Sequence, residues 1–217
     1  WAPFNILNEY DNNYMKTNVL DFKVQGEITY NVNRHLRLIA LAAARHALTS
    51  TSHFIKEGSN VVQAFRANET PDVARQNIYL LRDKDNPLHQ PQIALPHGGI
   101  FNKTETSMKN YMGRFAVEFN KEMGEHDLRA FGFTEVRHTD RTINPFQGYG
   151  IQYDRGNQIF TDPRIFQKLS NEGNSYFSLL NRYERGVTFS GSATYGYAGK
   201  YIFNTVLNYD GSHTAGQ

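Results

Sequence analysis

From Gly186 to Ser212 the chain reads GVTFSGSATYGYAGKYIFNTVLNYDGS, large apolar residues alternating with small polar ones and broken only at AGK. In an extended chain Val187, Phe189, Gly191, Ala193, Tyr195 and Tyr197 share one face, and Thr188, Ser190, Ser192, Thr194 and Gly196 share the other. After the turn, Tyr201, Phe203, Thr205, Leu207 and Tyr209 alternate with Ile202, Asn204, Val206 and Asn208. Each arm is about ten residues long, against the five or six of an ordinary soluble strand. Such length with so strict a period asks for a sheet whose two sides meet different solvents.

Two further hairpins have the same character. Leu20, Phe22, Val24, Gly26, Ile28, Tyr30 and Val32 alternate with Asp21, Lys23, Gln25, Glu27, Thr29 and Asn31, and Asn33-Arg34-His35 makes the turn. The return arm LIALAAA has the composition of a helix, but the preceding arm needs a backbone partner, so a strand is expected. Tyr111, Gly113, Phe115, Val117 and Phe119 share a face of the next arm, opposite Asn110, Arg114, Glu118 and Asn120; the polar stretch Lys121 to His126 turns, and Leu128 to Val136 returns.

Between the hairpins lie two long connections, from about Thr49 to Thr106 and from about Asp140 to Leu179; structureless loops beyond about 15 residues are uncommon and usually functional. Thr70-Pro71 before DVARQNIYLL and Asp162-Pro163 before RIFQKL each read as an N-cap with proline at the first helical position, opening a short helix. Short turns on one side and long loops on the other are the habit of a barrel crossing an outer membrane. Arms of about 9 to 14 residues suit the roughly 9–11 needed to cross at a tilt. Tyr30, Phe119, Tyr195, Tyr197 and Tyr201 cluster near the short turns, where an interfacial aromatic girdle belongs.

Composition bears on the same question. The chain has 217 residues and a mean hydropathy of −0.60, and no stretch of it approaches the roughly 18 consecutive apolar residues of a transmembrane helix, yet hydropathy is nearly blind to a barrel with a polar lumen. With 23 Lys+Arg against 21 Asp+Glu and no basic stripe, nucleic acid is not an expected partner. The absence of cysteine excludes disulfide frameworks and thiol chemistry.

At YAGKYIFNTVLNYDGS the sequence resembles the barrel of SusC/RagA-type TonB-linked (TonB-dependent) outer-membrane receptors, in which a Lys-Tyr turn, an aromatic-alternating strand and Asp-Gly-Ser recur. The matching residues are Lys200, Tyr201, Asp210, Gly211 and Ser212. Asn208 stands where the family usually has arginine, and His213-Thr214-Ala215 departs from its Ser-x-Phe. NNYMKTNVLDFKVQGEITYNVNRHL and EHDLRAFGFTEVR are similar to other strands of that barrel. The resemblance implies an all-β, antiparallel up-and-down meander of about six long strands. It would be an internal part of a 22-strand transmembrane β-barrel, with residues 1–217 as a partial barrel domain lacking the plug and long extracellular loops carrying short helices. It also implies a place in the bacterial outer membrane and a role in importing oligosaccharides or peptides. A SusD-like surface lipoprotein would act as lid, TonB would act through the plug, and outer-membrane lipid would surround the wall.

No catalytic constellation emerges: there is no GxSxG elbow, Walker loop or dinucleotide fingerprint, so no enzyme activity and no cofactor are expected. The eight histidines form no HxH or HExxH pair and read as solvated loop residues rather than metal ligands. Asp83-Lys84-Asp85-Asn86 resembles the start of a calcium loop, but Pro87 follows and the required glycine is missing, so it reads as a polar turn ending a helix. Gly148-Tyr149-Gly150 offers a flexible spot beside aromatics. Tyr149 and Tyr153 are candidates to stack on a sugar ring and Arg155 to meet an acidic group, against the plainer reading of a loop packed on its own tyrosines. The alternative to an importer is a soluble carbohydrate-binding β-sandwich, in which a second sheet about 10 Å away would cover the Val187–Tyr197 face.

Overall fold

A computed structural model describes residues 4–216. Helix α1 (Ile6–Asn12) leads into β1 (Asn13–Asn31) and β2 (Leu36–Ile55). Two short helices follow, α2 (Asn60–Arg66) and α3 (Pro71–Gln76), then β3 (Gly99–Met123) and β4 (His126–Gln152). After the two-residue β5 (Gln158–Ile159) and α4 (Pro163–Asn171) come β6 (Leu180–Tyr197) and β7 (Tyr201–Gly216). The long strands form one antiparallel sheet in chain order, β1-β2-β3-β4-β6-β7, with β5 paired to the end of β4 and with β1 and β7 as its edges. The expected meander of six long strands is there; closure into a 22-strand barrel is not a property of this sheet.

The strands run beyond their expected ends: β3 has 25 residues and β4 has 27. The turn of the second hairpin accordingly shrinks from Lys121–His126 to Gly124-Glu125. LIALAAA is strand, as its need for a partner required. The last turn has three residues, Ala198 to Lys200, with Ala198 and Gly199 both left-handed (φ 55° and 64°) and the Lys200 N–H donating to the Tyr197 carbonyl at 3.0 Å. That twist matches the twist of the flanking strands.

Two compact units share the chain. One comprises the chain up to Asn18, Thr49–Glu105 and Ile143–Leu179 and holds all the helices. It has a hydrophobic core of Ile55, Val62, Leu81, Leu95, Ile100, Ile165 and neighbours, with Val62 wholly buried. Arg66 fastens its loops, donating to the Leu95 carbonyl at 3.0 Å and the Gly98 carbonyl at 2.9 Å while pairing with Glu57.

The other unit comprises Val19–Leu48, Thr106–Thr142 and the chain from Leu180, and contains all three short turns. It is a single layer, and among the described residues no second sheet covers it. Phe189 is 51% exposed and Leu207 76%. The register pairs Phe189 with Tyr209, Gly191 with Leu207 and Tyr195 with Phe203 on one face, and Ser190 with Asn208 and Thr188 with Asp210 on the other. The sandwich expectation therefore lacks its covering layer.

Candidate functional site

Within the second unit the two faces differ in chemistry. On the polar side Arg45 grips Asp21, Arg37 reaches Glu118 at 3.3 Å, and Glu135 sits between Arg114 Nε at 2.8 Å and Arg137 Nε at 3.1 Å. Glu135 is 6% exposed, and two guanidiniums compensate the burial of its charge. Phe133 shares this side, with the Arg114 guanidinium 5.0 Å from its ring centre. The other face carries Val24, Ala42, Ala44, Tyr111, Phe115 and Val136 with no ion pair among them.

The residues of the Lys-Tyr and Asp-Gly-Ser motif occupy the β6–β7 hairpin of this unit. Lys200 closes the turn and Tyr201 pairs with Tyr197. Asp210 accepts a 2.6 Å hydrogen bond from the Thr188 hydroxyl, while Gly211 and Ser212 lie opposite Val187 and Gly186.

In the first unit a cleft of about 470 Å³ opens between α2, α4 and the end of β4, lined by Phe65, Tyr79, Gln147, Tyr149, Lys168 and Glu172 among others. Helix α4 sets its floor. The Asp162 side chain accepts from the Arg164 N–H at 2.9 Å, Pro163 supplies the first helical position, and Ile165 and Leu169 bury the same face one turn apart. Lys168, next to that face, is 6% exposed; its ammonium donates to the Ile78 carbonyl at 2.9 Å and pairs with Glu172. Phe65 and Tyr79 stand 4.9 Å apart at another wall. Aromatic rings, an amide, a phenol, a carboxylate and an ammonium in one cleft suit a polar ligand with apolar surface, held by hydrogen bonds.

The three candidate contact residues are turned to different partners. Tyr149 lines the cleft but is 7% exposed, packed in the core, with its hydroxyl donating to Gln147 at 2.8 Å. Tyr153 packs 6.1 Å from Phe54 and donates to the Ile100 carbonyl at 2.8 Å. Burial, with a smaller contribution from Tyr14, pushes its phenol up to about 12. Arg155 is exposed in the short turn Tyr153–Arg155. Lys168 and Glu172 escaped sequence reading because a lysine beside the apolar stripe of a short helix looks solvated; its position three residues after Ile165 was the available signal.

Asp83 lies in a loop after α3 rather than at a helix end, a correction to the expected helix-ending turn, since α3 stops at Gln76. The Asp83 carboxylate accepts from the N–H groups of Asp85 at 2.9 Å and Asn86 at 3.2 Å and meets His89 at 3.0 Å. The Asp85 N–H foremost, then His89 and the Asn86 N–H, hold its carboxyl below the ordinary range. Among the described residues no three histidine, aspartate or glutamate side chains converge.

No protein-family model matches the chain, and no curated protein matches its sequence. Solved structures match its fold. The RagAB peptide transporter superposes with a TM-score of 0.57 at 15% identity, over 95% of this chain and 20% of that one. The RagAB peptide importer in its "closed-closed" state gives 0.56 at the same identity and coverage. The chain thus spans about a fifth of the length of the chains it matches, and what it shares with them is the fold of that stretch.

Proposed function

We propose that this chain forms part of the wall and outer loops of an outer-membrane nutrient importer of the SusC/RagA type, taking up peptides or oligosaccharides. The observation that carries this is the single-layer sheet of the second unit, apolar and exposed on one face and ion-paired on the other. Hydrocarbon outside and water inside reward that division. The likeness to a peptide transporter supports the same reading and favours peptides. In this account the cleft and Arg155 belong to loops outside the cell, facing substrate and a SusD-like lid. TonB acts through a plug contributed by other residues, and the chain binds and guides rather than catalyses.

Detergent phase separation tests it: protein from cell envelopes should enter the detergent phase and show the slower, unfolded mobility on gel electrophoresis only after boiling. Protein that stays in the aqueous phase as a folded monomer would sink the proposal.

A further inference from the structure

The apolar face of the second unit is not uniform. Between Val24, Tyr111 and Val136 it drops into a groove of about 650 Å³ floored by Gly26, Ala42, Ala44 and Gly113. The backbone demands neither glycine, since both lie outside the left-handed region. A Cβ on Gly26 would meet nothing within 4 Å, and one on Gly113 would meet only a Val136 methyl at 3.7 Å. Glycine weakens a strand interior and often marks a place where something else comes close.

At one end of this groove the same face turns basic. His46 follows Ala44, and Lys109 precedes Tyr111, each at the two-residue spacing that keeps it on the groove's side. His138 lines the groove, its Nε2 2.8 Å from an Asp140 carboxylate oxygen. Ser107 Oγ lies 3.5 Å from His46 Nε2. Asp140, the acid on this stretch, has His138 beside it although its Oδ1 makes no hydrogen bond, whereas Lys109 is exposed and pairs with no acid among the described residues. A second hollow of about 470 Å³, over Gly132 and Gly191, is lined by no charged side chain. Only the first groove joins an apolar floor to a free cation, with an amphipathic tyrosine between them as at membrane interfaces.

We infer that this groove seats one acyl chain of a phosphate-bearing membrane lipid, whose headgroup rests on Lys109 beside the His46–Ser107 pair. The inference rests on the importer-wall reading, because only a chain embedded in a membrane presents this face to lipid. Methylenes fill the hollow above the glycines, and the ammonium meets the phosphate at the boundary where basic residues attract anionic lipid.

Native mass spectrometry of the full protein, exchanged into mixed micelles of phosphatidylglycerol or phosphatidylcholine, tests it. Phosphatidylglycerol should be retained in preference. Lys109→Gln should lower that retention about fivefold, Lys109→Arg should keep it, and Gly26→Leu with Gly113→Leu should lower it by blocking the hollow. Heat-modifiable mobility shows which variants have folded. Equal retention of the two lipids overturns the inference, and so does a loss on Lys109→Gln without one on filling the groove, which leaves an anion site only. Competition by inorganic phosphate at the lipid's own concentration also overturns it. Protein that never enters the detergent phase fails the importer-wall reading, whereas protein that enters it yet keeps neither lipid fails this inference alone.

Discussion

Asp162 does two things at once. Its carboxylate caps α4 and receives the Arg164 guanidinium at 2.6 and 2.9 Å, and that side-chain pairing, foremost among several causes, holds its carboxyl down to about 2. A carboxyl lowered by folding stabilises the native state above the ordinary range near pH 4, and the gain is lost as pH falls toward about 2. Asp162→Ala should cost about 1 kcal/mol, read as faster amide exchange in α4 and absent once the pH is below both values. Tyr153 has the opposite sign. Its phenol, raised to about 12, favours the fold below the ordinary tyrosine range near pH 10, and the gain fades as pH rises through about 12. Tyr153→Phe should cost about 1 kcal/mol by removing the hydrogen bond to the Ile100 carbonyl, and ultraviolet titration should lose its most alkaline tyrosine. Both residues stood out in the sequence, one as a cap and one as an aromatic beside glycines. The plainer reading of a loop packed on its own tyrosines holds for Tyr149, but which groups each tyrosine would meet was not legible, because the β4 end, α4 and β5 are brought together only by folding.

Among the elements, the hairpins were the most legible, since period-two alternation encodes the sheet directly. Phe189→Arg or Phe203→Arg, in the protein folded in lipid, should lower stability by about 2–4 kcal/mol near the midplane, and Ser190→Arg by far less; equal losses in denaturant titrations would reverse the face assignment. The strand ends were illegible. Pro145 interrupts the pattern in β4, yet the strand passes through it and the Pro145 carbonyl accepts from the Ser178 N–H at 3.3 Å. Helix α2 was missed although Ser59 caps it through the Val62 N–H at 3.3 Å, because a seven-residue helix leaves little periodicity to read. Gly150 is the sharpest local requirement. Its φ is +80° and an added Cβ would lie 2.0 Å from the Phe160 carbonyl oxygen, the strap that pairs β5 with β4. Gly150→Ala should cost more than about 1 kcal/mol and raise protease sensitivity around residues 153–162.

Over the whole molecule, one chain solves the burial problem in two ways. The helical unit excludes water with its own core, while the second unit leaves Phe189, Leu207 and Tyr209 uncovered and its sheet open at β1 and β7. An unpaired strand edge is a template for association, so the chain alone in detergent-free buffer should self-associate with rising concentration in sedimentation velocity and disperse in detergent. The sequence by itself determined the sheet, its order, its two-faced chemistry and the α3 and α4 caps, because each follows from spacing between near neighbours along the chain. Only the tertiary structure decided the loop core, the buried Lys168, the cleft and the groove ending at Lys109. These depend on residues far apart in the chain meeting across strands and loops, and no local pattern records such meetings.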